Sequence, residues 1–170
     1  MVDHTTRAFD AELQELARKI AEMGGLAEKQ ITDAIEALGK RDVALARDVI
    51  STDDRVDALQ RDIEEKAIVT IARRQPMALD LREIVGALRI SNDLERIGDL
   101  AENVAKRVLL LTEESLISEA MLQLQRMAQL VLEQLTRVLQ SYEGYDQNLG
   151  RLRCAGGPFF LPSTQALRSR

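Results

Sequence analysis

Ala87-Leu88-Arg89-Ile90-Ser91-Asn92-Asp93-Leu94-Glu95-Arg96-Ile97-Gly98-Asp99-Leu100-Ala101-Glu102-Asn103-Val104 is the stretch on which the fold turns. On a helical wheel, Ala87, Ile90, Leu94, Ile97, Ala101 and Val104 fall on one face, and Val108 and Leu111 extend it. That period belongs to an amphipathic α-helix, and the face is read as bundle core. A second face begins apolar with Leu81, Ile84, Val85 and Leu88, then turns acidic at Glu95, Asp99 and Glu102, with Asn103 beside them. Leu81, Leu88, Glu95 and Glu102 are nearly eclipsed, so a stripe that starts greasy ends in oxygen ligands.

Prolines frame this helix. None precedes Pro76 and none lies between Pro76 and Pro158, which leaves two long stretches free of the strongest helix breaker. A helix is predicted from about residue 6 to 39, striped by Leu13, Leu16, Ile20, Met23, Ala27, Ile31, Ala34, Ile35 and Leu38. Gly24-Gly25 interrupt it at a cost of about 1 kcal/mol each. The continuing stripe favours close approach of another helix there over a simple kink. Gly39 is the expected stop. A second helix, about 42–73, is capped by Asp42 and striped by Leu45, Val49, Val56, Leu59, Ile63, Ala67 and Ile71, with Arg73 and Arg74 at its negative end. The quoted helix is expected over 77–112, and a fourth from about Ser115 to 141.

Short connections make successive helices antiparallel. The fold class is therefore all-α: a long three-helix bundle over 1–112, and a fourth helix over 113–141 that completes it or opens a second bundle. Past Leu139 the helical period fades, and Gly, Pro, Arg and most of the aromatics gather. Residues 142–170 are read as a poorly ordered tail.

Composition narrows the function. The 170 residues are 45% hydrophobic and 30% charged but only 3% aromatic, which suits a Leu/Ile/Val/Ala/Met bundle core. Met23, Met121 and Met127 are read as core filling. A net charge of −5 argues against general nucleic-acid binding and against direct attachment to an anionic membrane. The one Cys, Cys154, leaves no intrachain disulfide, and the start Met1-Val2-Asp3-His4 lacks the pattern of a secretory signal. No run is long and apolar enough to span a bilayer. A cytoplasmic location is expected. His4 is the only His, so no Ser-His-Asp or Cys-His arrangement can be built on a rigid element, and phosphate-binding Gly-rich loops are missing. The chain is not expected to be an enzyme.

The acidic face is the candidate site. Glu95 and Asp99 stand one helical turn apart, where like charges repel by a few tenths of a kcal/mol. Packed against another helix they need cations, and carboxylate and amide oxygens suit Mg, Mn, Fe or Zn. Acidic helix faces are more often simply solvated, with Arg89 and Arg96 as local counter-charge. Asp53 and Asp57 share the same spacing and look like ordinary surface.

Three segments, in this order, resemble the PhoU family: Met23-Gly24-Gly25-Leu26; Ile71-Ala72-Arg73-Arg74-Gln75-Pro76 through Asp80-Leu81-Arg82; and Glu95-Arg96-Ile97-Gly98-Asp99. The likeness covers about residues 7–140. It implies two similar three-helix bundles side by side. It also implies a negative regulator of phosphate uptake and starvation signalling that links the ATPase of a phosphate ABC importer to a sensor histidine kinase. Such a protein meets the membrane only through partners. The family's E/D-x-x-x-D metal motif maps onto Glu95 and Asp99, with Glu102 and Asn103 alongside as further candidate ligands. A family member would continue into two more helices, and the unlike text after Gln140 is read as a shifted reading frame or an aberrant C-terminus. The apolar stripe of the fourth helix is then expected to drive self-association, such as a homodimer. The competing readings are a metal-binding bundle without signalling and a plain helical scaffold.

Overall fold

A computed structural model describes residues 2–111 and 118–154. Four helices account for almost all of them: α1 (Val2–Lys40), α2 (Val43–Arg74), α3 (Ala78–Val108) and α4 (Ser118–Cys154). Among these residues no helix is long and apolar enough to cross a membrane.

The turns follow local chemistry. Asp42 caps α2, its carboxylate accepting from the Leu45 amide at 3.0 Å. Gln75 takes the left-handed conformation that ends α2, its amide donating to the Ile71 carbonyl, and Pro76 prevents resumption. Gly39 is not the stop of α1. The helix runs through Lys40, and Arg41 adopts the left-handed φ of 56°. Gly39 instead makes room, since a Cβ there would lie 3.2 Å from the Met121 terminal carbon.

α1, α2 and α3 form an antiparallel three-helix bundle, each touching the other two. Cross-links mark the register: Lys19 pairs with Asp62, Gln60 donates to Asn92 at 2.7 Å, and Arg74 meets Glu12 at 2.7 Å. The Arg74 guanidinium holds the Glu12 carboxyl below its usual range.

The core comes in two pieces. One is built from Leu13 to Ala27 of α1, Val56 to Ala67 of α2 and Ile84 to Leu94 of α3. The other is built from Ala34 to Leu38, Ala46 to Val49 and Ala101 to Val108. On α3 the buried line is Ile84, Ala87, Ser91, Leu94, Gly98, Ala101, Ala105 and Val108. The core face expected from the sequence is therefore rotated. Ile90, Ile97 and Val104 are only half-buried and Leu111 is exposed, because small residues turn inward and bring the three backbones close.

α4 lies antiparallel on α1 alone, with Leu139 beside Gly24, Thr136 donating to Glu28 at 2.5 Å, and Met121 beside Gly39. Close approach explains Gly24, which is buried, and α1 passes through it unbroken. Helix continues past Gln140 to Cys154, beyond the predicted end near 141. Extending an existing helix costs no new nucleation, so scattered glycines without proline do not stop it. Residues 112–117 and the last stretch of the expected tail, 155–170, lie outside the described residues.

Between α3 and α4 an apolar groove of about 260 Å³ remains, lined by Ile31, Ile97, Leu100, Val104, Leu124 and Val131 among others. Met127, expected as core filling, lies on this groove at 61% exposure. It stays open because α4 packs only on α1.

The two glycines make opposite predictions. A Cβ on Gly25 meets nothing within 4 Å, whereas one on Gly24 would lie 2.5 Å from Leu139. Gly25→Ala is expected to raise thermal stability by up to about 1 kcal/mol. Gly24→Ala should lose that gain, or reverse it, as Leu139 is pushed away. Thermal melts of both variants check this.

Candidate metal centre

The break between the two core clusters is where the polar chemistry sits. At this level α1 presents Gln30, α2 presents Asp53 and α3 presents Gly98. Gln30 is 1% exposed and donates through Nε2 to Asp53 Oδ1 at 3.1 Å. Its Oε1 is buried without a hydrogen-bond partner. A Cβ on Gly98 would lie 3.0 Å from Gln30 Oε1 and 3.1 Å from Asp53 Oδ1. A side chain at Gly98 would have to shift Gln30 and Asp53 by a few tenths of an ångström, and this gives a physical reason for the glycine within Glu95-Arg96-Ile97-Gly98-Asp99.

That close approach carries Asp53 across to the acidic face of α3. Asp53, Asp99 and Glu102 each offer a carboxylate oxygen, and these oxygens lie within 4.8 Å of one another. Asp53 and Glu102 are half-buried and Asp99 is exposed. Burial raises the Asp53 carboxyl above the usual range. The Gln30 hydrogen bond opposes this, while Glu102, Asp57 and Asp99 add to it. Burial also raises Glu95, followed by the charges of Asp99, Asp57 and Asp53, with Arg96 opposing.

The structure brings Asp99 and Glu102, both expected ligands, together with Asp53. Glu95 borders the group and feels its field, and Asn103 is exposed on the same helix. Asp53 and Asp57 are not the ordinary surface pair that their spacing suggested. Asp53 is hydrogen-bonded to a core glutamine, and Asp57 acts electrostatically on both Asp53 and Glu95. A signal for Asp53 was present: the α2 stripe jumps from Val49 to Val56, and an acid stands where an apolar residue is due. Direct counter-charge comes from Lys106, whose Nζ sits 2.5 Å from Glu102, on the outer edge of the cluster. Arg96 acts only at longer range.

Three carboxylates form a hard, all-oxygen donor set, with the partnerless Gln30 oxygen buried behind them. It fits a divalent cation such as Mg²⁺ or Mn²⁺ better than a soft one, since no Cys or His belongs to the group.

Comparison with known proteins agrees with this architecture. The PhoU domain family matches residues 20–108. The PhoU homolog of the phosphate-specific transport system in Rhizobium meliloti is 52% identical over 139 residues, covering 82% of this chain and 59% of that protein. The Caulobacter vibrioides homolog is 46% identical over 146 residues, covering 86% and 64%. Among solved structures, PhoU from Pseudomonas aeruginosa superposes with a TM-score of 0.76 at 37% identity, over 83% of this chain and 68% of that one. The phosphate transport regulatory protein PhoU from Streptococcus pneumoniae gives 0.71 at 33%, over 78% and 62%. The chain belongs to the PhoU family. It spans 59% and 64% of the length of the two curated relatives described here.

The raised carboxyls set a pH dependence. Folded Asp53 and Glu95 bind protons more tightly than the unfolded chain does. Stability from these groups therefore rises as pH falls from neutral through their raised values toward the ordinary carboxylate range. Asp53→Asn removes the charge and keeps an acceptor for Gln30. It is expected to melt higher than the native chain at neutral pH in chelator-treated buffer, with the advantage shrinking near about pH 4. A variant that melts lower at neutral pH contradicts the assignment.

Proposed function

We propose that this chain is an accessory regulator of phosphate transport. In this reading it damps phosphate uptake and starvation signalling at the cytoplasmic face, by contact with the ATPase subunit of a phosphate ABC importer and with a sensor histidine kinase. The observation that carries the reading is the 52% identity, over 82% of this chain, to a protein named as an accessory of the phosphate-specific transport system. Two features of the molecule support action by contact rather than catalysis. His4, in the first turn of α1, is the only histidine, so the usual general base is available at one position alone. The groove beside α4 exposes Leu100, Met127 and Val131 in one apolar patch, as interaction surfaces do. Self-association through the apolar side of α4 belongs to the same proposal, and sedimentation at micromolar concentration tests it.

Immobilised chain is expected to retain the importer ATPase or the kinase from purified preparations, with or without chelator. Failure to retain either at micromolar concentration overturns the reading.

A second reading, a metal-binding bundle, is favoured by Asp53, Asp99 and Glu102 standing beside a buried orphan oxygen. Here the three carboxylates would hold the ion, with Glu95 beside them. The cation would add positive charge beyond that of Lys106 at Glu102 and so tie α2 to α3. Saturating Mn²⁺, at about a hundred times its dissociation constant, should stabilise the fold by about 2.7 kcal/mol. Replacing Asp53 and Asp99 together by Asn should abolish that gain. An equal gain in native and doubly substituted chains would place the ion elsewhere.

A further inference from the structure

Gln30 occupies a position where the bundle asks for an aliphatic side chain. It lies on the core-facing stripe of α1 between Ala27 and Ala34, is 1% exposed, and has apolar clusters on both sides. A buried amide in such a place is costly unless its hydrogen-bonding groups are used. Only half of it is used. Nε2 donates to Asp53 Oδ1, while Oε1 has no partner and faces the bare backbone of Gly98, next to Asp99 in the chain.

We infer that Gln30 is the positioning residue of the cation site: its amide N–H fixes Asp53 through one carboxylate oxygen, so that Asp53 is held in place beside Asp99 and Glu102 before an ion binds. This rests on the metal-binding reading and deepens it, because it makes the site a product of three helices.

The chemistry follows from the geometry. A carboxylate on a helix can rotate about its side-chain bonds, and a ligand free to rotate must be ordered when the ion binds. The Gln30 N–H holds Asp53 Oδ1, so Oδ2 is left for the ion and little freedom remains to be lost. A neutral donor does this without importing a positive charge that would compete with the cation; a lysine or arginine in the same place would fill the site itself. An apolar side chain would leave no orphan oxygen in the core, so the amide is there for its N–H, while Oε1 lies sealed against Gly98. Partners behind the direct ligands typically change metal affinity about 10- to 100-fold when removed.

The test uses the full chain and Mn²⁺ alone as probe. Gln30→Met and Gln30→Leu fill the space with apolar atoms of similar size. Metal-free melting of at least one is expected to match or exceed the native chain, since the orphan amide is gone from the core. Mn²⁺ affinity, from the free-ion EPR signal during titration, should fall about tenfold or more in the folded variant. The EPR spectrum of the bound ion should broaden as Asp53 gains freedom. A purely structural Gln30 would lower the melt and leave Mn²⁺ affinity and spectrum unchanged. Native-like affinity, within twofold, in either folded variant overturns the inference while leaving the site itself standing. Absence of Mn²⁺ binding by the native chain overturns the metal-binding reading and the inference with it. If both apolar variants unfold, Gln30→Ala decides the matter: it removes the amide and puts in the best helix former, and native affinity with an unchanged spectrum in that variant again overturns the inference.

Discussion

The contact on which the molecule depends is the crowding of two side-chain oxygens against the bare Cα of Gly98. Gln30 from α1 and Asp53 from α2 meet there, at the level where the apolar core is interrupted. Above and below, the bundle is ordinary: leucine, isoleucine and alanine on three antiparallel helices, buried for the usual gain from removing apolar surface from water. At this level a buried amide meets a half-buried carboxylate, and among the described residues only here does a buried side-chain oxygen lack a partner. A methyl on α3 here would have to displace the Gln30 and Asp53 side chains by a few tenths of an ångström, disturbing the contact that sets Asp53 beside Asp99 and Glu102.

Such a layer does not serve stability alone. Burial and neighbouring acids push the Asp53 carboxyl up, so the native state works against its own electrostatics at neutral pH. Apolar residues filling the same space would avoid that cost. Local disagreement with the rest of a fold, kept within one layer of a core, is what functional sites look like in proteins whose other levels agree. Lys106 relieves Glu102 at the edge, but nothing among the described residues places a cation between Asp53 and Asp99.

Much of this was legible in the sequence. Helical period and proline placement gave four helices, their antiparallel order and the Asp42 cap, because each is a local decision. Gly24 could be read as a site of close approach since the α1 stripe runs on through it. The rotation of the α3 core face could not be read, because Ser91, Gly98 and Ala105 carry little hydrophobic signal and win their inward places by being small. Asp53 was missed for a related reason: spacing on one helix says nothing about which side chain a neighbouring helix will meet. The gap in the α2 stripe between Val49 and Val56 marked the place, and only the pairing with Gln30 gives it meaning. α4 runs to Cys154, past the expected end near 141, since period fades before helix does.

The peripheral helix and the acidic cluster are held by different helices. α4 rests on α1 through Gly24 and Gly39 and leaves an apolar groove beside α3, while the acidic cluster is held by α2 and α3. The groove's lining shares no residue with the three carboxylates, so a contact surface and an ion site can coexist in a single bundle. The convergence of carboxylates from two helices is tested most directly by crystals grown with Mn²⁺ and measured for anomalous scattering. The account predicts one strong peak between Asp53 of α2 and Asp99 and Glu102 of α3. A map with no peak there, or with α2 and α3 too far apart for those carboxylates to share an ion, would contradict it.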